Sequence, residues 1–270
     1  MLLPSHDRPM NIGIYQNAAS LNALERWQDV VTQNISSSQT AAFKRRTVQV
    51  TGNYSGEFQL PRPTAFAPAH PGATGSSGDT RRAVFPLTNI NISLTPGEAQ
   101  PTRGELDIAL PGDGFFKVRD ASGVILYTRA GSLQISPERT LVTAQGMDVL
   151  SDADTPIQLE TESTTSSLVF NDDGTISQGE TIIGRLGIVT FANPTLLTPI
   201  SGGLFTAPPA AGPQQMDEPG VIQGYIESSN VSQLREMVDL ITISRAYEAN
   251  QKMIQSRDDT IGKTLEALTT

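Results

Sequence analysis

Residues 240–268 read LITISRAYEANQKMIQSRDDTIGKTLEAL. Leu240, Tyr247, Ile254, Ile261 and Leu268 recur every seven residues, with Ile243 and Thr264 at the complementary positions and polar Asn250 and Arg257 in the same rows. A strict seven-residue apolar repeat specifies a helix that lays a narrow seam against another helix. Polar groups at such inner positions, here Asn250 and Arg257, lower stability yet fix register and partner number. From Asn230 onward there is no proline and only Gly262, and Asn230 with Gln233 three residues later has the form of a capping box. Glu248 with Lys252, and Asp259 with Lys263, are i,i+4 pairs in the favourable order, each contributing about 0.2–0.5 kcal/mol and marking a solvated flank.

The other end carries a matching stripe. Between Asn11 and Ile35 there is no proline and no glycine beyond Gly13, and Ile14, Leu21, Leu24, Trp27, Val31 and Ile35 fall within about 80° of one direction on a helical wheel. As heptads, Ile14, Leu21, Gln28 and Ile35 hold one position, and Leu24 and Val31 its partner. The run Ser36-Ser37-Ser38-Gln39-Thr40 stops the helix.

Between the helices the apolar period changes to two. Ile90, Ile92 and Leu94 alternate with polar residues, and short apolar runs follow at 106–110, 115–118, 124–127, 141–142, 149–150, 168–170, 182–183 and 186–191. Turn signals separate them: Pro111-Gly112-Asp113-Gly114, Ser122-Gly123, Gln145-Gly146 and Asp172-Asp173-Gly174. The expected fold is α+β, a central antiparallel β domain flanked by long N- and C-terminal helices that pair as a coiled coil. The expected organisation is a disordered extension over 1–9, an N-terminal helix over 10–45, a Pro- and Gly-rich linker or extended arm over 46–83, a β domain over 84–224 and a C-terminal helix over 225–270. A single helix cannot bury such a seam on a β domain beyond a proline-rich linker, so the two ends must find each other or other subunits.

Composition narrows the function. The 270 residues contain no cysteine and only His6 and His70, which excludes a disulfide framework, a thiol nucleophile and Cys- or His-rich metal sites. With 28 acidic against 19 basic side chains the net charge is −9, the wrong sign for a nucleic-acid binder. No stretch reaches the roughly 18 apolar residues of a membrane-spanning helix, and the first ten residues lack the apolar region of a cleaved secretory signal. Asp152-Ala153-Asp154 and Asp172-Asp173-Gly174 lack the spacing of a calcium loop and read as turns. Lys44-Arg45-Arg46 reads as a solvated helix exit, with partner carboxylates as the minority reading. No catalytic, cofactor-binding or metal-ligating residue is assigned, and no small-molecule substrate is expected.

Several stretches, taken in order, resemble the flagellar basal-body rod and hook proteins. They are Met10-Asn11-Ile12-Gly13-Ile14-Tyr15 with Phe43-Lys44-Arg45, then Gly112-Asp113-Gly114-Phe115-Phe116-Lys117-Val118 with Tyr127-Thr128-Arg129-Ala130-Gly131-Ser132. At the C-terminus Gly224-Tyr225-Ile226-Glu227-Ser228-Ser229-Asn230-Val231, Glu236-Met237-Val238 and Arg245-Ala246-Tyr247-Glu248-Ala249-Asn250 complete the set. Ala42 stands where that family commonly has a glycine; if the position needs φ > 0, alanine costs on the order of 1 kcal/mol, so the turn is expected to differ.

The resemblance implies a structural axial subunit of the basal-body rod, proximal or distal, that polymerises helically, lines the export channel and transmits torque. It implies export by the flagellar type III apparatus without a cleaved signal, residence in the periplasm-spanning rod, and partners among other rod and hook subunits and copies of itself. The subunit interface would comprise Ile14, Leu21, Leu24, Val31, Ile35, Leu240, Ile243, Tyr247, Asn250, Ile254, Ile261 and Leu268. The competing reading is a secreted β-domain binding module or hydrolase whose helical ends dimerise, which leaves the heptads without a chemical purpose.

Overall fold

A computed structural model describes residues 12–55, 83–159 and 168–269. The extension 1–9, the greater part of the 46–83 arm and the whole of 160–167 lie outside the described residues. Helix α1 spans Ile12–Ser36. Strands β1 (Arg46–Ser55), β2 (Ala83–Ile92), β3 (Ala99–Pro101), β4 (Ile108–Ala109), β5 (Phe115–Arg119), β6 (Ile125–Thr128), β7 (Leu133–Ile135), β8 (Leu141–Thr143) and β9 (Asp148–Val149) follow. Next come β10 (Leu168–Phe170), β11 (Thr175–Gln178), β12 (Thr181–Arg185), β13 (Ile188–Phe191), β14 (Thr198–Pro199), β15 (Leu204–Thr206), β16 (Pro213–Gln215), β17 (Ile222–Gln223) and β18 (Tyr225–Glu227). Helix α2 spans Gln233–Thr269. The α+β class expected from the change of period is the one observed.

Two compact units divide the chain. One gathers residues 1–30, 48–90 and 239–270, and so holds most of both helices and of the β1–β2 ribbon. The other, residues 31–47 and 91–238, is the β body with the last turns of α1 and the first of α2.

The β body is organised by β5, whose run Phe115-Phe116-Lys117-Val118 is covered on both faces because alternate side chains enter two different cores. Phe116 and Val118 join Ile108, Leu126, Leu141, Val149, Ile176 and Ile188 in the larger cluster. Phe115 points the other way, into Val189, Phe191, Leu197 and Phe205. There the rings meet edge to face: Phe115 lies 5.5 Å from Phe191 and 5.6 Å from Phe205, and Tyr127 lies 5.0 Å from Phe191. Strand β5 pairs antiparallel with β6 on one side, and with β9 and β13 on the other. The main sheet runs β14-β15-β6-β5-β9-β8-β7, with a separate sheet β10-β11-β12.

The hairpin turns form where the glycines were read. Asp173 accepts the Thr175 N–H at 2.9 Å and hydroxyl at 2.7 Å beside Gly174 at φ +83°, so Asp172-Asp173-Gly174 is an Asx-type turn. Those hydrogen bonds hold the exposed Asp173 carboxyl below the usual carboxylate range. Asp120 does the same for the Ser122-Gly123 turn.

After β16 the chain returns across the base of the β body. Strand β17 pairs with β4 and β18 with β3, placing Glu227 opposite Ala99 just before α2 begins. The segment from Arg46, read as a linker or arm, carries β1, which pairs with β2.

Candidate functional site

At the base of the β body, the segment leaving α1 and the segment entering α2 are held together by buried polar groups. Glu227, brought there by β18, is 2% exposed. Its Oε1 accepts the Lys44 ammonium at 2.5 Å and the Gly97 N–H at 2.8 Å. Its Oε2 lies 2.9 Å from Arg129 Nε, an electrostatic contact and not a directed hydrogen bond. The Lys44 and Arg129 side chains are each about 1% exposed, so one buried anion serves two buried cations. Lys44 also donates to the Thr95 carbonyl at 2.9 Å, while Arg129 donates to the Leu110 and Gly112 carbonyls and lies over the Phe115 ring. Burial pulls the Lys44 ammonium below the ordinary lysine value; the hydrogen bond and charge of Glu227 push back, and nearby Arg129 adds to the lowering.

A second cluster adjoins it. Glu236, in the first turn of α2, is fully buried. It accepts from Arg45 Nε at 2.5 Å and from Asn34 Nδ2 at 3.0 Å. Asn34, near the end of α1, also closes a two-way pair with the backbone of Arg46, accepting its N–H at 3.0 Å and donating to its carbonyl at 2.8 Å. Asn230 completes the arrangement: its Oδ1 accepts the Arg45 N–H at 2.6 Å, and its Nδ2 donates to the Ser93 and Thr95 carbonyls at 2.9 and 2.8 Å. Most of the bonds in this clasp join residues far apart in sequence, tying the last turn of α1 and the first turn of α2 to the same part of the β body.

Three sequence readings are corrected here. Lys44-Arg45-Arg46 is not a solvated exit: Lys44 and Arg45 find carboxylates 183 and 191 residues away, and Arg46 donates to the Gln33 side chain. Asn230 does not cap α2, because both ends of its amide are committed to the 45 and 93–95 backbones. The expectation that alanine keeps position 42 out of positive φ fails: Ala42 is buried at φ +57°, a left-handed conformation that a glycine would adopt without strain, and its N–H donates to the Glu227 carbonyl at 2.8 Å.

Of the seam positions, Val31 and Ile243 are buried, while Leu21, Leu24, Ile35, Leu240, Tyr247, Asn250 and Ile254 are half-buried. Ile261 is exposed at 36%. The side chains of Ile14 and Leu268 lie outside the described residues. Among the described side chains of α1 the buried ones are Ala23, Val30, Val31 and Asn34, a line displaced about a quarter turn from the Leu21, Leu24 and Ile35 row. Asn250 donates to the Ala246 carbonyl at 3.2 Å, within its own helix. The clasp residues Asn34, Arg129, Glu227 and Glu236 were not picked out as functional. The available signals were weak: a glutamate inside a short strand and an asparagine on the covered side of a helix.

Two family models match the β body and the C-terminal segment that carries the clasp carboxylates. The flagellar hook protein FlgE/F/G D1 domain matches residues 109–178, and the flagellar basal body rod FlgEFG protein C-terminal region matches residues 222–267, which hold Glu227, Asn230 and Glu236. The chain is 32% identical to the flagellar basal-body rod protein FlgG of Agrobacterium fabrum over 90% of its own length and 94% of that protein's. It is 30% identical to the FlgG of Borreliella burgdorferi over 92% and 96%. To the rod protein FlgF of Caulobacter vibrioides it is 29% identical over 96% and 98%. The chain belongs to the flagellar basal-body rod protein family. It is a structural subunit of the rod and not an enzyme, and its place is the flagellar basal body.

Proposed function

We propose that α1 and α2 pair along the heptad seam and that this pair is the polymerising element of the rod, packing against copies of itself and other rod and hook subunits around the export channel. The β body stands outside that layer, and the clasp carries torque from the helices into it. The subunit arrives unfolded through the flagellar type III apparatus. The observation that carries this reading is the row Leu240, Ile243, Tyr247, Asn250 and Ile254, the more covered face of α2. Support also comes from the gathering of most of both helices into one compact unit.

The test places a charge on that row. Ile254→Asp in the full chain should abolish incorporation into basal bodies, because an unpaired charge in a dry helix seam costs several kcal/mol. Gln251→Asp, on an exposed position of the same turn, should be tolerated. Circular dichroism of both purified chains controls for folding. Normal assembly of Ile254→Asp would withdraw the seam.

A further inference from the structure

The outer strands of the β body carry proline on their open side. Among the described strands, β3 pairs with β18, β14 ends the main sheet beside β15, and β16 pairs with β13 alone, so each presents an outer edge. In an antiparallel ladder the N–H and C=O of one residue face the partner strand and those of the next face away. The Ile200 N–H donates to the Leu204 carbonyl at 2.7 Å, so the nitrogen of Pro199, opposite Phe205, faces away from β15. Met216 donates to the Ile188 carbonyl at 2.9 Å and Ala192 to that of Gly212 at 3.2 Å, which puts Pro213, opposite Phe191, in the outward phase of β16. Thr102 donates to the Gly224 carbonyl at 2.8 Å and Ser228 to that of Glu98 at 2.9 Å, which does the same for Pro101 in β3. In all three strands the residue without an N–H stands where an N–H would be offered to an arriving strand. The edge of β10 is closed by other means. Asn171 donates to Thr175 within the hairpin, so Leu168 and Phe170 face outward. There Gln223 takes the place of a strand: its Oε1 accepts the Phe170 N–H at 3.2 Å and its Nε2 donates to the Leu168 carbonyl at 2.8 Å.

We propose that Pro101, Pro199, Pro213 and Gln223 close the β body against strand addition, so that crowded copies of the chain do not pair their sheets. An open edge offers a row of unpaired N–H and C=O groups on which any extended segment can template itself. The danger is real here because β3 and β16 are exposed along their whole length. With proline at 213, β16 keeps the Gln215 N–H as an outward donor but lacks the one two residues before it, and a ladder needs both in sequence. The proposal goes beyond the rod-subunit reading and holds for whichever helix face assembles.

The test restores the missing donor in the purified full chain. Pro213→Thr should begin to associate, by analytical ultracentrifugation, at about one tenth of the wild-type concentration or below, since each copy of a pair gains an outward hydrogen bond. Pro213→Lys restores the same N–H but sets a charge on the edge, so it should associate no sooner than wild type. Hydrogen exchange locates the contact: the outward Gln215 amide should slow about tenfold or more in associated Pro213→Thr and stay fast in Pro213→Lys. Equal onset for wild type and Pro213→Thr overturns the proposal. So does early onset in both variants, which would trace the effect to the lost rigidity of proline, and so does early onset without slowing at Gln215. If Pro213→Thr loses the urea midpoint of wild type, the pair Pro101→Thr and Pro101→Lys, read at the outward Ala99 amide of β3, decides by the same outcomes. None of these results bears on the rod reading, which stands or falls with Ile254→Asp.

Discussion

Glu227→Gln and Lys44→Met attack the same buried contact from its two sides, and the structure makes their costs unequal. Glutamine keeps the shape of Glu227 but removes, among the described residues, the only anion contacting the Lys44 and Arg129 side chains, each about 1% exposed. Breaking a buried pair in this way costs about 3–5 kcal/mol, because an uncompensated charge is left in low dielectric. Lys44→Met instead converts a cluster of two cations and one anion into a neutral Glu227–Arg129 pair. It loses the hydrogen bonds from Nζ to Glu227 and to the Thr95 carbonyl. Because burial already disfavours the ammonium, the loss is about 1–2 kcal/mol. The double variant should recover about 1–3 kcal/mol relative to Glu227→Gln, since it carries one orphaned cation instead of two. Urea unfolding of the full chain followed by circular dichroism reads these values. At a slope of about 2 kcal/mol per M, Glu227→Gln lowers the midpoint by about 2 M and Lys44→Met by less than about 1 M. A Lys44→Met midpoint as low as that of Glu227→Gln would show that Lys44 is a net anchor and that the desolvation argument is wrong.

The lowered Lys44 value also has a signed pH dependence. The folded state releases this proton before the unfolded state does, so the stability of wild type relative to Lys44→Met rises with pH toward the ordinary lysine value of about 10.4; a falling difference in urea midpoints would contradict it. Burial, with Asp154 nearby, pushes Tyr127 above its ordinary value, so its contribution is present below about pH 10 and lost as pH climbs through the folded value, a fall that Tyr127→Phe should abolish. Asn34→Ala should release the Arg46 amide and raise its hydrogen-exchange rate relative to the Ile108 amide in the core, with a stability loss of about 2 kcal/mol. A β carbon at Gly131 would sit 1.7 Å from the Ile108 carbonyl oxygen, so Gly131→Ala should lower the melting temperature far more than Gly146→Ala, where only the positive φ resists. Ala42→Val should cost about 3 kcal/mol, since a β-branched side chain is forced into a buried left-handed position, whereas Ala42→Gly should stay within about 1 kcal/mol of wild type by the same melt.

What was legible in the sequence was local. The seven-residue spacing from Leu240 to Leu268 foretells one long helix, and α2 is that helix; Asp173-Gly174 and Ser122-Gly123 foretell turns because the side-chain and backbone partners lie within four residues. Asn230 failed for the opposite reason. Its cap-like spacing to Gln233 is a local argument, and the backbones of Arg45, Ser93 and Thr95 outcompete the helix for its amide. Lys44 and Arg45 looked solvated because no carboxylate stands near them in the chain. Nothing in the spacing of residues 44, 129 and 227 announces that β18, paired to β3, will bring Glu227 between the two cations. The α1 stripe is a finer case: the apolar row is legible, but Asn34 and Ala23 are drawn inside by partners and small size, and the covered line turns away from Leu21 and Leu24.

The clasp also sets the order of events when the chain folds. Its longest bonds close loops of 183 to 202 residues, and long loops are closed late because their entropy must be met before any contact rewards it. A polypeptide emerging N-terminus first holds Asn34, Lys44 and Arg45 without their carboxylates until β18 and the first turn of α2 appear. Up to that moment the root of α1 has only its bonds to the Ser93 and Thr95 backbones, and the segment carrying Glu227, Asn230 and Glu236, whether from synthesis or from passage through any narrow conduit, fastens both ends at once.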